Sequence, residues 1–238
     1  MLQVNLKGYF YHLIVPVFIA AIINLFLITN YITFIISLII FHILICVVGA
    51  NMYHRYWTHK QFNMSIIAQH IICFFGLFSM LGSPLSYAYL HRWHHRFSDL
   101  PQDLHTPING RFHAFIGWYF KPLPEIPILS IRDLLRPQFS YLNFYTKYQL
   151  PIVYTTLCII GLINLNVLAA LLISMCISYM LIMLVNSHAH CPIEKRALDV
   201  KFLAWFNLGS YHYQHHLYPS DIKKGDPGFY LIKLLSRL

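Results

Sequence analysis

Two long stretches of this chain, residues 8–54 and 148–192, contain no Asp, Glu, Lys or Arg. Each is roughly twice the ~20 apolar residues that an α-helix needs to cross a hydrocarbon core. Each therefore reads as a helical hairpin, with spans over about 9–29 and 31–52 in the first and about 149–165 and 167–187 in the second. Asn30, and the pair Asn164 and Asn166, fall at the midpoints, where a tight turn favours short polar side chains. Charged residues make up only 11% of the chain and hydrophobic ones 58%, against about 25% charged in water-soluble domains. The expected fold is an all-α integral membrane protein, one domain over residues 1–238, with four transmembrane helices arranged as two hairpins.

Four crossings put the termini and the middle segment on one side. All the Lys and Arg, from Lys7 through Arg55, Arg92, Lys121, Arg136 and Lys195 to Arg237, then share that side, and the positive-inside rule makes it cytoplasmic. The net charge of +9 suits an anionic membrane surface or an anionic substrate head. No nucleic-acid recognition module or basic soluble domain is visible, so a nucleic acid partner is not expected. The first hairpin lacks a small-residue cleavage site and reads as retained spans. The five cysteines, Cys46, Cys73, Cys158, Cys176 and Cys191, show no CxxC spacing and read as packing residues.

A fifth hydrophobic segment, about 65–90, is long enough to cross. If it did, the histidines before and after it would face opposite sides of the bilayer, as would Arg55 and Lys60 against Arg92 and Arg96. It is expected instead to lie at the interface or to dip in and return, interrupted at Gly82, Ser83 and Pro84. Residues 97–147, rich in proline, read as a cytoplasmic connection with short helices, and a histidine-rich cytoplasmic cap completes the map.

The fifteen histidines are clustered. His54 and His59 follow the first hairpin, His91, His94 and His95 follow the fifth segment, His190 closes the second hairpin, and His212, His215 and His216 come soon after. In "HRWHH" the rings at i, i+3 and i+4 share one helical face, and Asn186 and His190, at i and i+4, share another. His54 and His59, five apart, overlap poorly on a regular helix, so one of them is expected at a frayed end or a turn. Nine imidazoles exceed the four ligands of one tetrahedral zinc and suit two metals of higher coordination number. Iron is the expected metal, because redox chemistry is a reason to gather so many neutral ligands; ligand type alone does not exclude zinc or manganese. His12, His42, His70 and His113 are expected to be packed or hydrogen-bonded. His105 and His188 are expected either to orient a ligand ring or to be exposed. Asp99 and Asp103 either accept N–H bonds from ligating rings or pair with Arg92 and Arg96.

The segments "GANMYHRYWTHKQF", "HRWHHRFSDLPQDLHTP" and "YHYQHHLYP" resemble, in order and spacing, the three histidine boxes of the membrane-bound fatty acyl desaturases of the acyl-CoA (delta-9) type. "GRFHAFIGWYF", "NSHAH" and "DPGFYLIKLLSRL" extend the likeness over nearly the whole chain. The resemblance implies that His54, His59, His91, His94, His95, His190, His212, His215 and His216 ligate two iron ions and that Asn186 holds a metal-bound water. It implies dioxygen as co-substrate, a cis double bond as product, and a fatty acyl substrate carried on CoA, carrier protein or lipid. Family members commonly have Gly-Glu shortly before the third box, whereas this chain has "LGSYHYQHH", with Ser210 near that acid and Tyr213-Gln214 where Asn is frequent. That departure bears on the surroundings of the third box and on the substrate or outcome. A fused cytochrome-type domain is not expected, and electrons are expected from a separate ferredoxin, cytochrome-b-type protein or reductase.

An apolar tunnel would hold the acyl tail while basic residues anchor the head; Trp57, Trp93, Trp118 and Trp205 are expected to line it or to form an interfacial belt. A hydroxylase on the same metal platform is the alternative enzyme. A non-catalytic metal-binding membrane protein is the alternative class, disfavoured because transporters place polar ligands near mid-membrane.

Overall fold

The computed structural model of the chain describes residues 4–200, 211–221 and 227–236; Trp205 and Ser210 lie outside them. The described elements are helices α1 (Leu6–Leu25), α2 (Tyr31–Thr58), α3 (Ile66–Leu77), α4 (Pro84–Phe97), α5 (Arg111–Phe115), α6 (Tyr141–Lys147), α7 (Gln149–Ile163), α8 (Leu165–His188), α9 (His212–Leu217) and α10 (Pro227–Leu235), with short 3-10 turns between α4 and α6. Strands β1 (His190–Cys191) and β2 (Arg196–Ala197) form a two-residue antiparallel ladder, a small departure from an all-α architecture.

Three helices, α1, α2 and α8, are long and apolar enough to cross a membrane. The expected third span is different. Helix α7 has 15 residues, about 22 Å, short of the ~30 Å hydrocarbon core. It reaches a crossing length only together with α6, from which it bends by 67°. Helix α2 also departs from expectation: its 28 residues run unbroken past position 52 to Thr58. At about 42 Å it is longer than the ~30 Å hydrocarbon core is thick.

The turns form where the asparagines predict. Asn30 caps α2 by accepting from the Thr33 amide at 2.9 Å, and Asn164 caps α8 by accepting from the Asn166 and Val167 amides. Asn166 Oδ1 also accepts from the Thr29 and Asn30 amides at 2.8 and 2.9 Å, which ties the two turns together. Helix α8 packs against both α1 and α2, and Ser174 of α8 donates to the Leu38 carbonyl of α2 at 3.2 Å. Outer faces stay apolar: Ile22, Ile32 and Ile39 are more than half exposed, as a lipid-facing surface requires.

The fifth segment is two helices. Helix α3 is only 12 residues long, about 18 Å. The chain turns at residues 78–83, where Met80 and Gly82 take positive φ of 58° and 93°. Ser83 then starts α4 with a reciprocal capping box to Ser86 and Pro84 at the first helical position, the combination that satisfies orphan amides at a helix start. Helix α4 continues past Leu90 to Phe97 and carries the whole "HRWHH" motif. His59, before the segment, and His91 and His95, after it, come within ring-centroid distances of 5.4 and 4.4 Å, so the chain returns to where it left.

Helix α3 lies close against α2 at Gly76. A Cβ there would sit 2.2 Å from the Tyr53 ring. Tyr53 is fully buried and donates to the Cys73 carbonyl at 2.8 Å, so it cannot yield. Gly76→Ala is expected to cost about 1–3 kcal/mol through overpacking, measured as a lowered Tm in detergent; an unchanged Tm would mean that the helices separate freely.

Candidate metal centre

The last turn of α2 answers how residues five apart share a target. From Tyr53 to Thr58 the helix is π-type, and the His59 amide donates to the His54 carbonyl at 3.2 Å. On a regular α-helix residues five apart stand about 140° apart. The i→i+5 ladder closes that gap, and the two ring centroids lie 4.7 Å apart. His91, His94 and His95 project from one face of α4, His190 follows α8 in β1, held by its pairing with Ala197, and His212, His215 and His216 lie on α9.

These rings gather into two adjoining groups. The nitrogens of His54, His59, His91, His95 and His215 lie within 4.8 Å of one another, and so do those of His94, His190 and His216. His212 joins the second group, with its Nε2 3.0 Å from that of His190. The groups touch where His95 stacks on His216, centroids 4.2 Å apart at 12°. Asn186 lines an adjacent cavity with His91, His94 and His212.

The spacing fits shared cations. Nε2 of His215 is 2.8 Å from that of His54 and 3.2 Å from that of His95, which is 3.1 Å from that of His91. Neighbouring nitrogens on one ion with ~2.1 Å bonds stand about 3 Å apart. Each nitrogen carries either one proton or one lone pair, so this run of contacts cannot consist of two-centre hydrogen bonds throughout. Lone pairs turned toward a common cation satisfy all of them.

Electrostatics favour neutral rings. Burial, followed by the nearby Arg92 and Arg55 charges, pushes His59 down to about 3, and burial pushes His105 down to about 3. Burial likewise lowers His91, His94, His95, His212, His215 and His216, neighbouring imidazoles adding to the effect. In the unfolded chain these rings titrate near 6.5. Between that value and about 3, the unfolded state binds more protons than the folded one, so stability rises with pH. Metal-free protein is therefore expected to hold a constant Tm above about pH 7 and to lose it steadily as pH falls from about 6.5 toward 4. A Tm that is flat across that window would contradict buried neutral rings.

Two acids orient the second group. His94 Nδ1 donates to Asp103 Oδ1 at 2.9 Å, and His190 Nδ1 lies 3.1 Å from both oxygens of Asp99. A proton held on Nδ1 leaves the Nε2 lone pair for a metal. Asp99 adopts φ 60°, a conformation that aspartate tolerates better than most residues. Arg92 pairs with neither acid. Its five N–H donors go to Asp133 Oδ1 and Oδ2, at 2.6 and 3.0 Å, and to the carbonyls of Ser130, Thr58 and Trp57. It thereby joins α4 to the end of α2 and to the 128–135 turn. Arg96 is exposed, over the Phe97 ring.

The other histidines separate cleanly. His105 is buried with its ring 4.2 Å from that of His94. His188 is exposed and contacts Ser187 Oγ at 2.8 Å. His70 contacts the Tyr145 hydroxyl and His113 the Leu104 carbonyl. His12, His42, His70, His113 and His188 lie in neither group. Cys46 and Cys73 are buried, as packing residues are, and all five cysteines are unbridged.

A narrow cavity of about 120 Å³ opens beside the rings, with apolar walls that include Cys46, Leu81, Leu90, Tyr119, Ile182 and Met183. Leu104 and Trp118 also line an outer groove of about 790 Å³ that carries Lys121, Asn109 and Gln102. A second groove, of about 750 Å³, reaches His54, His212 and His215 and carries Arg55 and Lys233. Trp57 is fully buried and Trp93 half-buried; neither lines the cavity.

Residues 29–222 match the family model described as fatty acid desaturase. Among curated proteins, the chain is similar to the acyl-CoA Delta(11) desaturase of Trichoplusia ni, 26% identical over 82% of this chain and 61% of that protein. It is also similar to the Delta-9 desaturase-like 5 protein of Arabidopsis thaliana, 26% identical over 78% of this chain and 68% of that protein. The acyl-CoA Delta(11) desaturase of Choristoneura rosaceana is 26% identical over 74% of this chain and 58% of that protein. The chain thus spans about three fifths to two thirds of these relatives' length.

Proposed function

On the premise that the chain belongs to the fatty acid desaturase family, we propose that it is an oxidoreductase that converts a saturated fatty acyl chain into a cis-unsaturated one, using dioxygen. The observation that carries this reading is the meeting of nine imidazoles, in groups of five and four, at the wall of a narrow apolar cavity. His54, His59, His91, His95 and His215 would hold one iron ion, and His94, His190, His212 and His216 the other. Asn186, on the cavity wall beside His94 and His212, would hold a water on the metal. Two irons would activate dioxygen, the oxidant that an unactivated methylene demands because no side-chain base can deprotonate it.

The protein's own part is placement. The cavity excludes water and holds the tail against the rings, and the outer groove with Lys121 takes the anionic head, so the distance between them selects the carbon that reacts. Asp99 and Asp103 fix the tautomers of His190 and His94. Asp99→Ala or Asp103→Ala is expected to lower metal affinity by about 10- to 100-fold, read by titration of the metal-free protein; unchanged affinity would deny the acids this role. A separate ferredoxin, cytochrome-b-type protein or reductase would deliver electrons, and the centre and both termini would face the cytoplasm.

Expression in a host whose acyl chains are all saturated tests the reading. Lipids two mass units lighter, with a double bond at a defined position, are the expected result. A gain of sixteen units would instead make the chain a hydroxylase, and unchanged lipids with full metal loading would overturn the enzymatic reading.

A further inference from the structure

Trp118 lines both the inner cavity and the outer groove. It sits in the 3-10 turn Gly117–Phe120, directly after α5, which packs on α8, so its position is fixed by the scaffold. The side chain is 7% exposed, yet its indole N–H has no hydrogen-bond partner among the described residues. Its ring lies 5.4 Å from that of His105, which is 6% exposed, lines the same cavity and has an Nδ1 likewise without a partner. An orphaned buried donor costs about 1–3 kcal/mol, and native proteins rarely leave one unless a ligand or a water completes it. The unpartnered indole N–H, with the unpartnered His105 nitrogen beside it, marks a polar position on a cavity wall whose neighbouring residues include the apolar Leu81, Leu90 and Leu104.

The chemistry of the indole narrows what belongs there. A tryptophan N–H only donates, so its partner must be an acceptor. A saturated acyl chain offers no acceptor along its methylenes; its only one is the carbonyl oxygen next to the head. Resting on the acyl reading above, we propose that Trp118 is the substrate-binding donor to the acyl carbonyl, with His105 beside it. The head then lies in the outer groove by Lys121, and the methylenes run inward past His94. This contact registers the chain against the histidines from its carbonyl end, so a hydrogen bond there helps to choose which carbons face the metals.

The test compares the binding of stearoyl-CoA with that of its thioether analogue, S-octadecyl-CoA, in which a methylene replaces the carbonyl. Binding to the iron-loaded protein is measured in nanodiscs without reductant, so no turnover intervenes. Wild-type protein is expected to prefer the thioester by about tenfold. Trp118→Phe, which keeps the ring and removes the donor, is expected to abolish the preference while leaving thioether affinity unchanged. Equal binding of both probes by the wild type, as when a buried water alone meets the indole, would overturn the subsite. So would a preference that survives in the variant. Should the variant fold poorly, the infrared band of carbonyl-13C stearoyl-CoA on the wild-type protein decides: a shift to lower wavenumber on binding supports the hydrogen bond, and an unshifted band overturns it. Loss of the thioester preference bears on the subsite alone, whereas host lipids without new double bonds bear on the desaturase reading.

Discussion

His95→Ala is expected to strip iron from the five-histidine group and to abolish double-bond formation in the expressing host. The loss should exceed the 10- to 100-fold that removal of an outer hydrogen-bond partner costs, because a ligand itself is gone. His95 is the most consequential choice. Its Nε2 contacts those of both His91 and His215, while its ring face stacks on His216 of the other group. Removing it empties a central position and unseats a neighbour. Metal analysis of purified protein, together with fatty acid analysis of the host, provides the measurement. His70→Ala, exposed and outside both groups, should change neither quantity. Full iron and full product in His95→Ala would refute the ligand assignment.

Arg92→Lys is expected to destabilise the protein by about 3 kcal/mol and to weaken metal binding at the same time. Lysine has three donors on a flexible stem and cannot reproduce a planar fork. Five bonds converge on this guanidinium, and Asp133 and the carbonyls of Trp57 and Thr58 would be left short of partners. Burial pushes the Asp133 carboxyl up, but hydrogen bonds from Arg92 and Lys60 outweigh it and hold it down at about 2. A depressed carboxylate contributes stability above its unfolded value near 3.9, lost only as pH falls toward 2. The penalty should therefore be the same at pH 7.5 and pH 5, in contrast to the acid sensitivity of the buried imidazoles. Thermal unfolding at the two pH values, with metal titration, checks both parts; a penalty confined to the lower pH would assign the clamp's effect to the histidines.

The candidate site was more legible in the sequence than the helix ends around it. Nine histidines could be singled out because they fall in clusters, and because the i, i+3 and i+4 spacing of "HRWHH" declares a shared face; the role of Asn186 was implied by the family resemblance alone. What periodicity could not supply was local helix type. The five-residue spacing of His54 and His59 is met in part as expected, with His59 in a turn at the helix end, and in part by a π-type last turn that the spacing did not declare. The same continuation carries α2 past position 52, since no proline or glycine stands there to end it. Helix α7 failed the length test for a different reason: hydropathy counts apolar residues but not the bend at Tyr148. For Asp99 and Asp103 the sequence offered ligating rings or arginines as partners without choosing, and the structure takes the rings; the partner of Arg92 was unreadable, because a charge in sequence says nothing of which surface meets it. Asp133, 41 residues from Arg92, carried no signal of its role.

Asp99 and Asp103 are four residues apart on one short loop, yet they grip rings delivered by different parts of the chain, His190 after α8 and His94 on α4. Loop order and ion occupancy are therefore a single linked equilibrium. Whatever factor a well-ordered loop adds to ion affinity, the ion returns to the ordering of the loop. Leu104, the next residue along, lines both cavity and groove. An ion held by His94 and His190 would by the same linkage help to order the cavity wall at Leu104.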